Sequence, residues 1–398
     1  MVRMRYKKLR VIDRNRRTSG NGWSLKSLKN DRKALIIIGL IVLILILFAL
    51  YLYNRYRTYN QYSVLSSVKM KSTENSKFVP FGKFVVKYSN DGISYIDGEE
   101  VKWDVAYEMK APIVDVCGGY IAIADKNTNE IMVFDEDGKR GTISVNYPIV
   151  QLEIASQGVV AALQEEQNAN YIEAYDVEGT QLISHKTLID ENGYPLSFSL
   201  SDDGLQMMVS YLAVKNGVFD NKIVFYDFSE DGKDYENRIS AQFDDYGEEV
   251  VPRVAFVSDS KAVAIGENSI SIFDVNHKPS LNEQVEVKHS IDKVFMNEDY
   301  VGITYSEEKG SAQNKIQVYN MSGKQVMSTS TKQSFHTVNF VEDNVLIYDD
   351  LTCKIISFYG VEKFSYTFKG EISSMIPLKQ SKEFLLITNS EIQKILIK

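Results

Sequence analysis

Residues 112–138 read PIVDVCGGYIAIADKNTNEIMVFDEDG. Three short runs stand out in them, 112–117, 120–125 and 130–135, separated by Gly-Gly and by Asn-Thr-Asn. Apolar runs of this length between turn residues read as β-strands, and a fourth is expected over 141–146. The third run ends in an aromatic-acid pair, Phe134-Asp135, and a turn that closes on Gly138.

That ending recurs as SYIDG (94–98), AYDVEG (174–179), FYDFSEDG (225–232), IFDVNHK (272–278), VYNMSG (318–323) and, more loosely, SFYG (357–360). The C-terminal EIQKILIK adds an eighth place at Ile395. With Ile96, Phe134, Tyr175, Tyr226, Phe273, Tyr319, Phe358 and Ile395 as anchors, the spacings are 38, 41, 51, 47, 46, 39 and 37. A period of about 43 residues fits four short strands with their turns, one propeller blade. A lone four-stranded sheet that is apolar on both faces must stack on neighbours, and closing the ring leaves only short edges. The expected fold is therefore all-β, a β-propeller of eight blades with seven as the alternative. C-terminal strands are expected near 373–378, 383–388 and 391–397. Residues 62–70, YSVLSSVKM, would add the missing outer strand to them, and 78–81 would begin the first blade.

Outward from the repeat, residues 34–53 read ALIIIGLIVLILILFALYLY, twenty residues without a charge. That is about 30 Å of helix, the thickness of a hydrocarbon core. The run and its basic leader are too long for a cleaved signal peptide, and tyrosines stand where an interfacial belt belongs. Twelve Lys or Arg precede the span, against two acids, Asp13 and Asp31, and only Arg55 and Arg57 follow it closely. The positive-inside rule then keeps the N-terminus cytoplasmic and sends the C-terminal domain out. The expected layout is a basic cytoplasmic tail (1–33), a transmembrane helix that partners the lipid bilayer (34–53), a tether (54–61) and an extracytoplasmic propeller (62–398).

Residues 58–398 hold 31 bases against 51 acids, so the body carries a charge of −20. Such a surface repels nucleic-acid phosphates and suits basic partners. Cys117 and Cys353 read as small buried strand residues, with a single bridge between them as the alternative.

Several groups of residues invite a chemical reading. Asp135-Glu136-Asp137-Gly138 has the look of a calcium loop, but Asn146 stands where the bidentate Glu belongs, so it reads as a hairpin turn. Asp202-Asp203-Gly204 reads the same way. The four histidines, His185, His277, His289 and His336, have no metal-ligand spacing, and no nucleophile elbow or P-loop is present. Two acidic groups remain: Ser229-Glu230-Asp231 with Asp234 and Glu236, and Asp244-Asp245 with Glu248-Glu249. Paired carboxylates perform glycoside chemistry when held roughly 5–9 Å apart, but these lie in the longest intervals and read as loop tips. Glu230, Asp231, Asp234, Asp244, Asp245, Glu248 and Glu249 are the first candidates for a binding rim.

At the level of repeats the body resembles the WD40-like and quinoprotein-like propellers, through FSLSDDGLQMMVSY (198–211) and its likeness to their "FSPDG" phrase. Trp103-Asp104 is the one Trp-Asp pair. The quinone-binding pattern stops at ADKNT (124–128) without its Gly and Trp, so no cofactor is implied. Nearly the whole chain resembles an uncharacterised family of Firmicutes proteins with one membrane helix and an external propeller, a resemblance that implies location and fold but no activity. The expected function is a non-enzymatic binding or scaffolding module of the cell envelope, with a protein or envelope partner. The alternative is a carbohydrate- or wall-polymer-active hydrolase or lyase with carboxylates at the propeller funnel.

Overall fold

The computed structural model describes residues 32–70, 75–97, 100–276, 278–306, 313–378 and 382–398. It divides into two units, the first ending at Arg57 and the second running Thr58–Lys398.

In the first unit one helix spans Arg32–Tyr56. Its apolar side chains from Ile36 onward are exposed on every side. A helix that is hydrophobic all round needs an apolar surrounding, and Ile36–Tyr56 is long and apolar enough to cross a bilayer. The helix runs three residues past the expected span, so the segment 54–56 is helical rather than tether. Its end carries Tyr51, Tyr53 and Tyr56, with the guanidinium of Arg55 5.8 Å from the Tyr51 ring and that of Arg57 5.7 Å from the Tyr53 ring. Cations leaning on rings at the end of an apolar run are what an interfacial belt requires.

The second unit is eight four-stranded antiparallel sheets. Blades 1 to 7 cover residues 77–106, 112–144, 149–188, 194–243, 253–286, 293–331 and 337–367, each with its strands in chain order from inside to outside. Blade 8 takes its three inner strands from Ile372–Pro377, Glu383–Thr388 and Glu391–Ile397, and its outer strand from Tyr62–Lys69. The ring closes where Lys77–Phe81 meets Ile372–Pro377. There Phe84, Val85 and Ile96 of blade 1 pack on Ile376, Leu385, Ile387 and Ile392 of blade 8. Neighbouring blades interlock in the same way elsewhere: Ala161, Leu163 and Ile172 of blade 3 meet Phe198, Val209 and Val224 of blade 4. The expected eight blades and the one-plus-three closure are present, and seven is excluded. Cys117 and Cys353 are free thiols in different blades.

A physical cause for the recurring phrase emerges from the register. In every blade the ladder between third and outer strands skips one outer residue: Lys102, Arg140, Leu182, Ser240, Asn282, Val326, Lys363 and, in blade 8, Leu65. Such a bulge increases twist and bends the strand. The third-strand residues at the bulge are Ile96, Phe134, Tyr175, Tyr226, Phe273, Tyr319, Ile356 and Ile395. Seven of the eight anchors thus sit on one structural position, and blade 7 corrects the eighth. Its equivalent is Ile356, because the bulge needs bulk rather than an aromatic ring. Phe358 lies beyond the strand, where its ring meets Tyr300 edge-on at 4.8 Å. The acid after the anchor builds the turn. Asp176 Oδ1 accepts from the backbone N–H of Glu178 (3.1 Å) and of Thr180 (2.7 Å), and Asn320 does the same for Ser322 and Lys324. Gly179 and Gly323, at φ of 85° and 74°, supply the left-handed residue that closes it. A shorter turn explains why the outer strand of blade 2 is Gly138–Ser144 rather than 141–146: Asp135 pairs directly with Gly138, so the strand resumes at once.

Candidate binding surfaces

The innermost strands put side chains on the axis. In blade 2 the Asp115 carboxylate accepts from the Ile154 N–H of blade 3 at 2.7 Å. Blade 3 repeats the act on blade 4: Glu153 accepts from Leu200 N–H at 2.6 Å, and Gln151 exchanges two bonds with Phe198. Blade 4 repeats it on blade 5 with Ser199 and Phe256 N–H at 3.0 Å, and Ser197 with Val254 N–H at 3.4 Å. The inner strands are spaced too widely for a backbone ladder, so side chains satisfy the main-chain donors instead. Burial raises the pKa of Asp115, and burial with the nearby Asp115 charge pushes Glu153 up to about 8. Arg253 of blade 5 lies near enough to Glu153 to interact with its charge. Convergent carboxylates with raised pKa values are what an axial hydrolase would use. Here both are occupied by the neighbouring blade's N–H groups, and serines perform the same task one blade further on.

The two acidic groups named from the sequence are not brought together. Glu230, Asp231 and Asp234 lie in the turns between third and outer strands of blade 4, where Glu230 pairs with Lys233 at 2.6 Å. Asp244, Asp245, Glu248 and Glu249 lie after the outer strand, Ile239–Phe243. A strand of five residues is about 17 Å long, so the groups occupy opposite rims. In the second group Asp244, Asp245 and Glu248 are exposed. Glu249 is structural, accepting from Asn268 N–H at 2.8 Å and from the Ser269 hydroxyl at 3.0 Å in blade 5. Of the histidines, His185 bonds the Tyr226 hydroxyl at 2.9 Å and is held near pKa 4 by burial, His289 stacks on Tyr305, and His336 pairs with Asp350. His277 lies outside the described residues.

Sequence reasoning missed a projection on the rim of the second acidic group. The middle strands of blade 4, Gln206–Lys215 and Val218–Asp227, have ten residues each, where other blades have five to seven. The extra length carries the hairpin about 10 Å past its neighbours. It turns on Asn216-Gly217, both at positive φ, the pair a two-residue hairpin favours. Val214 (65% exposed) stands opposite Phe219 (49%) near the tip, with Val218 (44%) on the other face. Lys215 pairs with Asp220, and Asp244 lies near enough to act on its ammonium. The base is fixed to the acidic loop by fully buried groups: Asn221 Oδ1 accepts from Val251 N–H at 2.9 Å, and Ser210 Oγ donates to Val251 O at 2.7 Å. The signal was available in the sequence: an Asn-Gly pair inside the longest interval, 51 residues.

The profile of one protein family, described as "Family of unknown function (DUF5711)", matches residues 55–397. No curated protein matches the chain. Among solved structures, Saccharomyces cerevisiae Sqt1 superposes with a TM-score of 0.56 at 12% identity, covering 84% of this chain and 99% of its own. Kuenenia stuttgartiensis hydrazine synthase gives a TM-score of 0.47 at 13% identity over 73% and 94% of the two chains. Dihydro-heme d1 dehydrogenase NirN gives 0.47 at 13% over 71% and 59%. At such identities the likeness is one of fold alone.

Proposed function

The chain belongs to DUF5711, a family of unknown function, and from that premise we propose that it is a membrane-anchored, non-enzymatic binding module of the cell envelope. The apolar helix holds the protein in the bilayer, and the excess of basic residues before it keeps the N-terminus cytoplasmic with the propeller outside. The blade 4 rim contacts a protein that offers basic residues around an apolar patch.

The observation that carries this reading is the projecting hairpin. An unpaired tip with Val214, Val218 and Phe219 exposed is costly in water unless something covers it. Asp244, Asp245 and Glu248 beside it set the sign of the partner's charge. They also argue against insertion into lipid, since anionic headgroups would repel them. The hydrolase reading has its carboxylates in Asp115 and Glu153, but their bonds to the adjacent blade account for both.

The test is photocrosslinking in intact cells, with the crosslinker at Val214 or Phe219 and, as control, at Glu283 in the exposed outer strand of blade 5. The expected result is one protein captured from the hairpin only, in an amount reduced by Asp244→Asn/Asp245→Asn/Glu248→Gln and by added salt. Equal capture from Glu283, or no effect of the charge variants, refutes it. Protease added to whole cells should cut the propeller; protection of residues 58–398 would overturn the orientation.

A further inference from the structure

A cleft of about 610 Å³ lies between the outer end of blade 7 and the flank of blade 8, on the opposite side of the ring from blade 4. Its size is within the range of small-ligand pockets. One wall is aromatic. Tyr62, Tyr366 and Phe368 have ring centroids 5.0, 5.2 and 4.9 Å apart at interplanar angles of 86°, 49° and 60°. The other wall comes from the segment before Ile372 and the turn into the strand Glu391–Ile397, on one rim; it carries Glu371 and Glu391, and Lys369 also lines the cleft.

The carboxylates are held, but by neutral groups. Glu391 accepts from the Ser67 hydroxyl at 2.6 Å and from Gln393 Nε2 at 2.7 Å, and Glu371 accepts from Asn389 Nδ2 at 2.7 Å. Neither makes an ion pair among the described residues, so two oriented negative charges face a cavity whose lining cation, Lys369, is bridged to neither. Neither tyrosine hydroxyl has a hydrogen-bond partner among them. The phenol of Tyr62 is pushed up by burial, with Tyr366 and Glu391 adding to the effect, so it stays neutral beside the carboxylate. Electron-rich rings attract cations.

We infer that this cleft binds a primary ammonium group, as carried by a lysine side chain or an amino-bearing envelope component, with Glu371 and Glu391 accepting its N–H bonds and the Tyr366 and Tyr62 rings covering its alkyl stem. The rings touch one another and form a one-sided wall, so they do not make the closed cage that a quaternary ammonium needs. Carboxylate oxygens fixed in place favour a cation that donates hydrogen bonds.

The test is calorimetric titration of the full chain in nanodiscs with tetralysine, choline and tri-N-acetylchitotriose. Tetralysine should bind with an affinity that falls with salt, and choline should not displace it. Glu371→Gln and Glu391→Gln should each weaken binding about fivefold, and Tyr366→Leu by a similar factor. Glu230→Gln/Asp231→Asn, on blade 4, should leave it unchanged. Gly370→Lys adds a second ammonium to the cleft lining at a position where an added Cβ meets nothing within 4 Å; it should abolish binding while sparing the carboxylates' own bonds. Melting temperature of each variant separates lost binding from lost folding. An equal loss from the blade 4 variant would mean diffuse attraction and overturn the site. So would tetralysine binding that ignores both Glu variants and Gly370→Lys. Displacement by choline would overturn the requirement for N–H donors, and salt-independent displacement by chitotriose would overturn the ligand class.

Discussion

Replacing Glu153 by Gln should stabilise the protein at alkaline pH and do almost nothing at acid pH. The Glu153 carboxyl is pushed from 4.5 up to about 8 in the folded state by burial and by Asp115. A raised carboxyl pKa means that the folded protein holds this proton more tightly than the unfolded chain does. The cost of the charge is therefore absent below pH 4.5, grows as pH rises to 8 and is constant above. A difference of roughly 3.5 units corresponds to about 5 kcal/mol at most. Because Glu153 faces the channel and is only half-buried, solvent screens much of this and leaves about 2 kcal/mol. Glutamine keeps an oxygen for the Leu200 N–H but cannot ionise, so the variant escapes the cost. For a domain of about 340 residues, 2 kcal/mol is roughly 3 °C in melting temperature. The assay is thermal unfolding of both proteins at one scan rate in detergent, at pH 5 and pH 8, with the expected gap near zero at the first and about 3 °C at the second. An equal gap at both pH values would refute the assigned pKa. A less stable variant at pH 8 would show that the ionised carboxylate is favoured, by Arg253 or by a ligand on the axis, and would reopen the catalytic reading.

His185 gives the opposite slope: its pKa is lowered to about 4 from 6.5, so stability is complete above 6.5 and falls as pH drops towards 4. The loss is about 2 kcal/mol after allowing for partial exposure; denaturant midpoints at pH 4.5 and 7 should converge in His185→Gln, and an unchanged acid slope would contradict the assignment. Phe225 packs against Phe243, Phe256 and Phe273 where blades 4 and 5 meet. Phe225→Ala should cost about 4 kcal/mol, read from urea unfolding, and a loss under about 1 kcal/mol would mean the contact is not core. Deleting residues 1–70 removes the outer strand of blade 8 and bares Glu391–Ile397 as an edge. Size-exclusion chromatography should show self-association, and a stable monomer would indicate that the ring closes without that strand.

Much of the fold was legible because its most repeated element is local. An anchor, an acid and a glycine within six residues define a hairpin through an Asx turn, as at Tyr175, Asp176 and Gly179, and no distant contact is needed to see it. In blade 7 the aromatic-glycine phrase, Phe358 with Gly360, stands two residues past the bulge at Ile356 and so marks the wrong position, although the aliphatic anchors Ile96 and Ile395 are placed correctly. The candidate sites were less legible because they depend on pairing between distant residues. Closeness along the chain is misleading in a sheet: Glu230 and Asp244 are fourteen residues apart in sequence, yet one reversal of direction sends them to opposite rims. The bonds along the axis join residues 39 to 57 apart, Asp115 to Ile154 and Ser199 to Phe256, and leave no local mark. The exposed valines of the hairpin look like any strand valines until the length of the strand is known.

The irregularities of the repeat say more about action than its regularities do. Shared positions must all satisfy one demand, closing a ring of twisted sheets, and the bulge and the Asx turn answer it. Residues beyond the shortest interval, 37, are not needed for closure. The largest excess falls between Tyr175 and Tyr226, where the structure spends it on the turn at Ile189–Asn192 and on the projecting hairpin. The next falls between Tyr226 and Phe273, in the turns at Asp231–Asp234 and Glu236–Arg238 and in the acidic loop after Phe243. A third, between Phe273 and Tyr319, includes residues 307–312, outside the described residues. Blade 4 thus collects the additions on both its rims while its core stacks like the others. Buried Ser210 and Asn221 tie the hairpin to the acidic loop, which fixes the two parts relative to each other before any partner arrives. A surface fixed in advance loses little entropy on binding, and that favours blade 4 as the place where the proposed partner docks.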